Sequence, residues 1–367
     1  MSTLNTALGI YLAQGGSTLG SSSVVYVSMP DPTATTSAGD QCQGLGLISL
    51  PATYSYHCAA SSTYRAVDGT GWILVNFSSI STGAPVGELP IDPINTSSTR
   101  LYYTYTTNGS QYELTTAAME SQKYQLGGSN DVIGPDGGPL ATVYEKGTAY
   151  GLEPLDYGDP TLVVYWSLNE GTGTVAYDYS GNNATGNWSG TQTGTNGYYS
   201  AGKGKGYSWA GAFDGSSTYV GTLPISMQAN APVAISAWVL LKPGAGPYPM
   251  IACSNSNILF GVQTGSAGNH GFDLYLAGLE AGQTTAPATN TWYYVVGEYN
   301  GSVASLYVNA NLVQTSGAGS SPGSANWRIG YGTCLGNSFW DGLIDDVRIY
   351  NRALSAAQIA AMYNSGK

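Results

Sequence analysis

After residue 160 the sequence keeps one rhythm, and that rhythm limits what the chain can fold into. Short runs rich in β-branched and aromatic residues recur: LVVYWSL (162–168), AISAWVLLK (234–242), WYYVVGEY (292–299), ASLYVNA (304–310) and LIDDVRIY (343–350). Gly, Asn, Ser and Thr clusters separate them. Strands of this length between turn signals predict an antiparallel β-sandwich of the jelly-roll type. Composition agrees, since only 9% of residues are charged and turn-formers abound, with 51 glycines. One helix is expected at the end. There Ser355 and Gln358 form a capping box, and Ile359, Met362 and Tyr363 form a buried stripe.

The first half reads differently. Leu4, Ala7, Leu8, Tyr11 and Leu12 make one helical stripe within residues 3–14, stopped by Gly15-Gly16. A Ser/Gly/Thr/Pro-rich stretch to about residue 70 reads as loop. Strands are expected at GWILVNF (71–77), LYYTYTT (101–107) and QYELTTAAM (111–119), the last two joined by an Asn108-Gly109 hairpin turn. LPIDPINTSS (89–98) reads as a surface loop and LGGSNDVIGPDGG (126–138) as an acid-bearing one. GLEPLDYGDPTL (151–162) reads as a linker, giving domains 1–155 and 156–367. The expected class is mainly β: an N-terminal helix on a small antiparallel sheet, then the jelly roll.

The formal charge is −11. Residues 1–159 hold 13 acids and 4 bases, or −9, and the remainder hold 9 acids and 7 bases, or −2. Without a basic patch, neither nucleic acid nor an anionic membrane is expected as a partner. Of the four cysteines, Cys42 and Cys58 fall in the first half and Cys253 and Cys334 in the second. The simplest scheme is one disulfide per half, implying an oxidising compartment; four buried free thiols are the alternative. No run of 18 apolar residues and no signal peptide is present.

The acids Asp345 and Asp346 lie together in an apolar strand. Strict alternation puts Leu343, Asp345, Val347 and Ile349 on one face, and Ile344, Asp346, Arg348 and Tyr350 on the other. An ion pair with Arg348 accounts for Asp346. A carboxylate in line with an aliphatic face needs a partner, and calcium with its oxygen ligands would supply one. AYDYSGNNATG (176–186) offers Asp178, Asn182 and Asn183 as matching donors. The alternative is that these groups only cap loop amides. Catalysis has no comparable signal. There is no Glu-x-Asp-x-x-Glu triplet, no nucleophile elbow and no phosphate loop, so no enzyme is expected. Tyr179, Trp188, Tyr198, Tyr199 and Tyr207 cluster in a loop-rich region that suits either packing or stacking on sugars.

Residues 160–366 resemble the laminin-G-like, concanavalin-A-like jelly-roll family of secreted bacterial proteins. The stretches that carry this are YWSLNEGTGTVAYDYSGNNATG, AGAFDGSSTYV, WYYVVGEYNGSVASLYVNANLV and, above all, FWDGLIDDVRIYNRALSAAQIAAMY. The resemblance implies a calcium joining the last strand to an early loop through Asp345, Asp178, Asn182 and the backbone of Asn183. Ala310 departs from it, standing where Asn-Gly is usual. Residues 69–124 resemble the globular part of type IV pilins and type II secretion pseudopilins, through LPIDPIN, YTY and the Asn-Gly turn into Tyr-Glu-Leu. That implies a truncated soluble form lacking the long apolar helix, and a second calcium site at Asn130, Asp131 and Asp136. Two solvated turn acids are the alternative there.

Together the resemblances imply an extracellular, surface-filament subunit whose parent is anchored in the inner membrane before assembly. It would contact other pilin subunits through the missing helix. It would display an adhesin or lectin module for a surface, glycan or protein ligand, with structural calcium. A structural filament or coat subunit without a specific ligand is the alternative.

Overall fold

The structure is a computed structural model. It describes residues 1–367 except 17, 35–40, 48–49, 51–53, 117–118, 126–127, 134, 137–142, 151, 155–158, 160, 203–208, 226–230, 247, 255–257, 263–270, 277–278, 283–284, 318–324, 333–337 and 366–367. The chain divides into two compact units, Met1–Asp159 and Pro160–Lys367.

In the first unit, α1 (Ser2–Ala13) buries Leu4, Ala7, Leu8 and Tyr11, the expected stripe. It packs with Trp72, Phe77, Tyr105, Tyr112 and Leu114 in one core. The sheet comprises β1 (Val24–Asp31), β2 (Ser55–Ala60), β3 (Tyr103–Thr107), β4 (Tyr112–Thr116) and β5 (Tyr144–Gly147), in the order β2-β1-β3-β4-β5. β3 and β4 form the expected hairpin, with Gly109 at φ +94°. Asn108 Oδ1 accepts the Ser110 and Gln111 amides, closing the turn.

Three expectations are corrected here. The sheet is mixed, because β1 and β2 pair in parallel. The stretch to residue 70 is not mere loop, since it holds both of those strands; their short apolar runs were hidden by flanking Ser, Gly and Pro. Residues 71–77 form no strand. Trp72, Ile73, Val75 and Phe77 are all buried, and the segment ends in a 3₁₀ turn at Phe77–Ser79.

The second unit is a two-sheet sandwich. Its strands are β6 (Leu162–Trp166), β7 (Val175–Ala176), β8 (Gly186–Ser189), β9 (Tyr199–Ala201), β10 (Trp209–Asp214) and β11 (Tyr219–Ile225). β12 (Val233–Leu241), β13 (Met250–Ser254), β14 (Ile258–Val262), β15 (Phe272–Leu276), β16 (Leu279–Gly282) and β17 (Trp292–Tyr299) follow. Then come β18 (Ala304–Val308), β19 (Asn311–Ser316), β20 (Ala325–Ile329), β21 (Tyr331–Gly332), β22 (Ser338–Phe339) and β23 (Asp341–Tyr350). The first sheet runs β19-β18-β17-β12-β23-β10-β9, with β6 also paired to β23; the second runs β16-β15-β14-β13-β20-β11-β8-β7. Trp166, Phe213, Val239 and Ile344 from the first sheet meet Phe260, Leu274 and Trp327 from the second in a shared core.

Helix α2 (Ala356–Ser365) covers the outer face of the first sheet. Its capping box forms as expected: the Ser355 amide donates to Gln358 Oε1, and the Gln358 amide to Ser355 Oγ. Trp238 stacks on Tyr363 with ring centroids 5.6 Å apart. The hydroxyls of Tyr294 and Tyr350 both donate to Met362 Sδ.

The assignment of Asp345 to the aliphatic face is corrected by a bulge. Along β12–β23 the register passes from Ser236↔Arg348 to Trp238↔Asp345, so β23 carries one extra residue. Asp346 absorbs it at φ +55°. A one-residue slip reverses every side chain beyond it. Ile344, Val347 and Ile349 therefore enter the core, while Asp345 lies opposite Trp238 on the other face. It is still buried, at 1% exposure.

Candidate functional site

The residues expected to hold calcium make hydrogen bonds of their own. Asp178 Oδ1 accepts the amides of Tyr165 (2.9 Å) and Ser180 (3.0 Å). Its Oδ2 accepts Ser180 Oγ (2.8 Å) and the Ala184 amide (3.0 Å). Four donors occupy all four lone-pair directions of the carboxylate. Asn182 Nδ2 donates to the Leu162 carbonyl (2.9 Å), and Asn183 takes φ +58° to turn the chain. Asp178 thus staples the 178–184 loop onto β6. Asp346 pairs with Arg348, whose guanidinium lies 4.1 Å from the Tyr165 ring centroid.

In the first unit, Asp131 Oδ1 accepts the Ile133 amide, and Asp136 Oδ2 accepts the Glu145 amide at the start of β5. The Asn130 amide donates to the Lys123 carbonyl. Among the described residues, no group of three or more His, Cys, Asp or Glu converges as a metal site. With both of its oxygens taken by four donors, Asp178 as placed does not fit a bound calcium, and no role is derived through one. Cys42 and Cys58 form a disulfide. Cys253 is also disulfide-bonded; Cys334, its expected partner, lies outside the described residues.

The open surface lies on the other side of the sandwich. In the second sheet Val220, Trp327 and Ile329 point into the core, so Tyr219 and Arg328 point outward. Gly330 turns the chain at φ +80° where an added Cβ would sit 2.2 Å from the Phe213 ring, so only glycine fits. That turn delivers Tyr331 to the same outer surface. Tyr331 stacks on Phe339, with centroids 4.3 Å apart and 14° between planes. Tyr219 leans on Tyr331 at 5.3 Å. The Arg328 guanidinium lies 5.7 Å from the Tyr331 centroid. All four side chains are half-buried. Cross-strand pairing sets Gly221 between Asn187 and Arg328, and Asn187 is exposed. An aromatic platform edged by a guanidinium and a carboxamide can stack against an apolar ring face while hydrogen-bonding its polar rim.

Sequence reasoning did not find this platform. Its signal was only the abundance of tyrosine, and the expected cluster lies elsewhere. Trp188, Tyr198 and Tyr199 from that cluster are buried, stacking on one another and on Phe213. Tyr207 lies outside the described residues.

A second unforeseen group is Glu170, in the loop before β7. That loop is tightly wound, with Leu168, Gly171 and Gly173 all at positive φ. Glu170 is half-exposed as a residue, yet its Oε2 is buried without a hydrogen-bond partner. Oε1 accepts the Tyr177 amide at 2.9 Å. The neighbouring Tyr199 hydroxyl donates to the Val175 carbonyl and accepts from Trp188 Nε1. Desolvation pushes the Glu170 carboxyl up to about 7.

Residues 214–360 match the family described as the concanavalin A-like lectin/glucanases superfamily. The second half of the chain thus carries a jelly-roll domain of that type. The match does not reach the first unit, and the pilin likeness has no counterpart in it. No curated protein matches the chain.

Among solved structures, domain 4 of an extracellular arabinanase from Geobacillus stearothermophilus, in complex with arabinotriose, is 18% identical, with a TM-score of 0.44. The alignment covers 55% of this chain and 98% of that one. Trypanosoma rangeli sialidase, in complex with 2,3-difluorosialic acid, is 14% identical over 57% of this chain and 34% of its own, with a TM-score of 0.41. The binding domain of botulinum neurotoxin serotype D/C is 14% identical over 56% and 52%, with a TM-score of 0.39. The chain therefore spans about a third of the sialidase and half of the neurotoxin domain.

Proposed function

We propose that the second unit is a glycan-binding module without catalytic activity, and that its ligand lies on the outer face of the second sheet. The observation that carries this reading is the half-buried platform of Tyr219, Tyr331 and Phe339, edged by Arg328 and Asn187. Tyrosine faces stack on sugar rings, while guanidinium and carboxamide groups bond hydroxyls. The concanavalin A-like match supports the choice of ligand class. The two outer faces differ in the same sense, because α2 packs on the first sheet through Tyr363 on Trp238 and Met362 on Tyr294.

The absence of catalysis is part of the proposal. Among the described residues of the second unit, the partly buried Glu170 and the buried Glu298 serve the amides of Tyr177 and Leu354 respectively. Among the described residues, neither has a second carboxylate as a hydrogen-bond partner or charged neighbour, the pairing that glycoside hydrolysis uses. The Cys42–Cys58 disulfide supports an extracellular setting. The first unit serves as the carrier, and its helix on a sheet supports a pilin-like subunit displaying the module.

The test is a glycan-array screen of the full chain beside Tyr331→Ala. Tyr124→Ala, an exposed tyrosine of the first unit, is the control. Glycan signal lost in the first variant and kept in the control supports the reading. A wild-type chain that binds no glycan leaves a purely structural coat role.

A further inference from the structure

We infer that the first unit carries a ligand site of its own, beside its disulfide, for the protonated head of an alkylamine. A cavity of about 380 Å³ opens there, its lining including Gln41, Cys42, Leu47, Leu50, Tyr54 and Tyr56. That volume is in the range of small-molecule sites. The cavity lies on the side of the sheet turned away from α1. In β2, His57 meets Tyr26, a member of the core under α1, so Tyr56 and Cys58 point the other way. The walls are fixed. Leu47, Leu50, Tyr54 and Tyr56 pack around the Cys42–Cys58 disulfide, and Asp31 Oδ2 accepts the Gly44 amide in the turn after Cys42.

Charge argues for a cation. The unit holds 13 acids and 4 bases, a net −9, and none of the four bases lines the cavity. Arg65 pairs with Glu88, while Lys123 and Lys146 lie over the rings of Tyr124 and Tyr144. Glu113 and Glu153 are buried and adjacent, since Glu113 Oε2 accepts the Glu153 amide. Burial first, then the Glu153 and Glu113 carboxylates, push the Tyr54 hydroxyl up, and no cation opposes them there. At Tyr56, burial, Tyr102 and Glu153 push the same way, and Arg100 opposes them without cancelling the rise. Fixed negative charge in a poorly solvated setting draws a cation into the neighbouring cavity.

The lining narrows that cation to an alkylammonium. Tyr56 Oη is buried with no hydrogen-bond partner, so it is left to accept an ammonium N–H. Tyrosine faces attract a positive head, and the side chains of Leu47 and Leu50 suit a methylene stem.

The test titrates the full chain at pH 7 with pentylamine, with Nα-acetyl-lysinamide and with the neutral 1-pentanol, followed by ligand-observed NMR. The expected result is about tenfold tighter binding of an amine than of the alcohol. The tighter of the two amines tells a free alkylamine from a lysine side chain. Tyr56→Phe keeps the ring and removes the hydroxyl, and should weaken the amine about tenfold. Tyr54→Ala should weaken it as well, whereas Tyr124→Ala, at an exposed tyrosine outside the cavity lining, should not. Equal binding of amine and alcohol, or no binding of either amine, overturns the inference. So does amine binding that Tyr56→Phe and Tyr54→Ala leave unchanged, which marks a diffuse attraction to an acidic chain.

Discussion

Glu170 makes the pH dependence of this fold predictable. Its carboxyl is raised from the ordinary glutamate range near 4.5 to about 7, first by desolvation. The folded state therefore holds a proton that the unfolded chain releases. Stability from this group is complete below about pH 4.5 and is lost as pH rises to 7, then levels off. That rise of the carboxyl corresponds to about 3 kcal/mol. Glu170→Gln removes the titration and keeps an oxygen for the Tyr177 amide.

The assay is urea unfolding of wild type and variant between pH 4.5 and 8.5, followed by tryptophan fluorescence. Seven of the eight tryptophans lie in the second unit, so the signal reports the unit that contains Glu170. Relative to the variant, wild type should lose about 3 kcal/mol across that range. Parallel pH profiles for the two proteins would refute the reasoning.

Two further predictions concern backbone geometry. Asn309 and Ala310 both take positive φ, as a two-residue turn of type I′ requires. Ala310→Gly should relieve about 1 kcal/mol of left-handed strain against about 0.5 kcal/mol of unfolded-state entropy. The net gain is about 0.5 kcal/mol, read as a small rise in the urea midpoint. Asp346→Ala should cost about 3–5 kcal/mol, because it leaves Arg348 buried without its carboxylate. Asp346→Asn, which keeps a hydrogen-bond acceptor and tolerates positive φ, should cost clearly less in the same assay.

Much of the fold was legible because it depends on local pattern. The strands at 162–168, 234–242 and 292–299, the Asn108-Gly109 hairpin and the Ser355–Gln358 box all follow from neighbouring residues. The bulge was not legible. Whether β23 carries an extra residue is decided by its register with Ser236 and Trp238, more than 100 positions earlier. That one residue moved Asp345 off the face its alternation implied. The candidate site was hidden for the same reason. Asn187, Tyr219, Arg328, Tyr331 and Phe339 come from five strands and meet only through sheet order. The Asp178 loop was legible as a feature; the four donors its carboxylate accepts, from β6 and from its own loop, were not. Whether a carboxylate serves amides or an ion depends on where β6 runs, and no spacing rule encodes that.

The most direct measurement is a calorimetric titration of the best-bound glycan into wild type and Tyr331→Ala, with thermal unfolding of both proteins measured alongside. The account predicts at least a tenfold loss of affinity in the variant with an unchanged melting temperature, since Tyr331 is half-exposed and lies outside the shared core. Affinity retained by a well-folded Tyr331→Ala protein would contradict it.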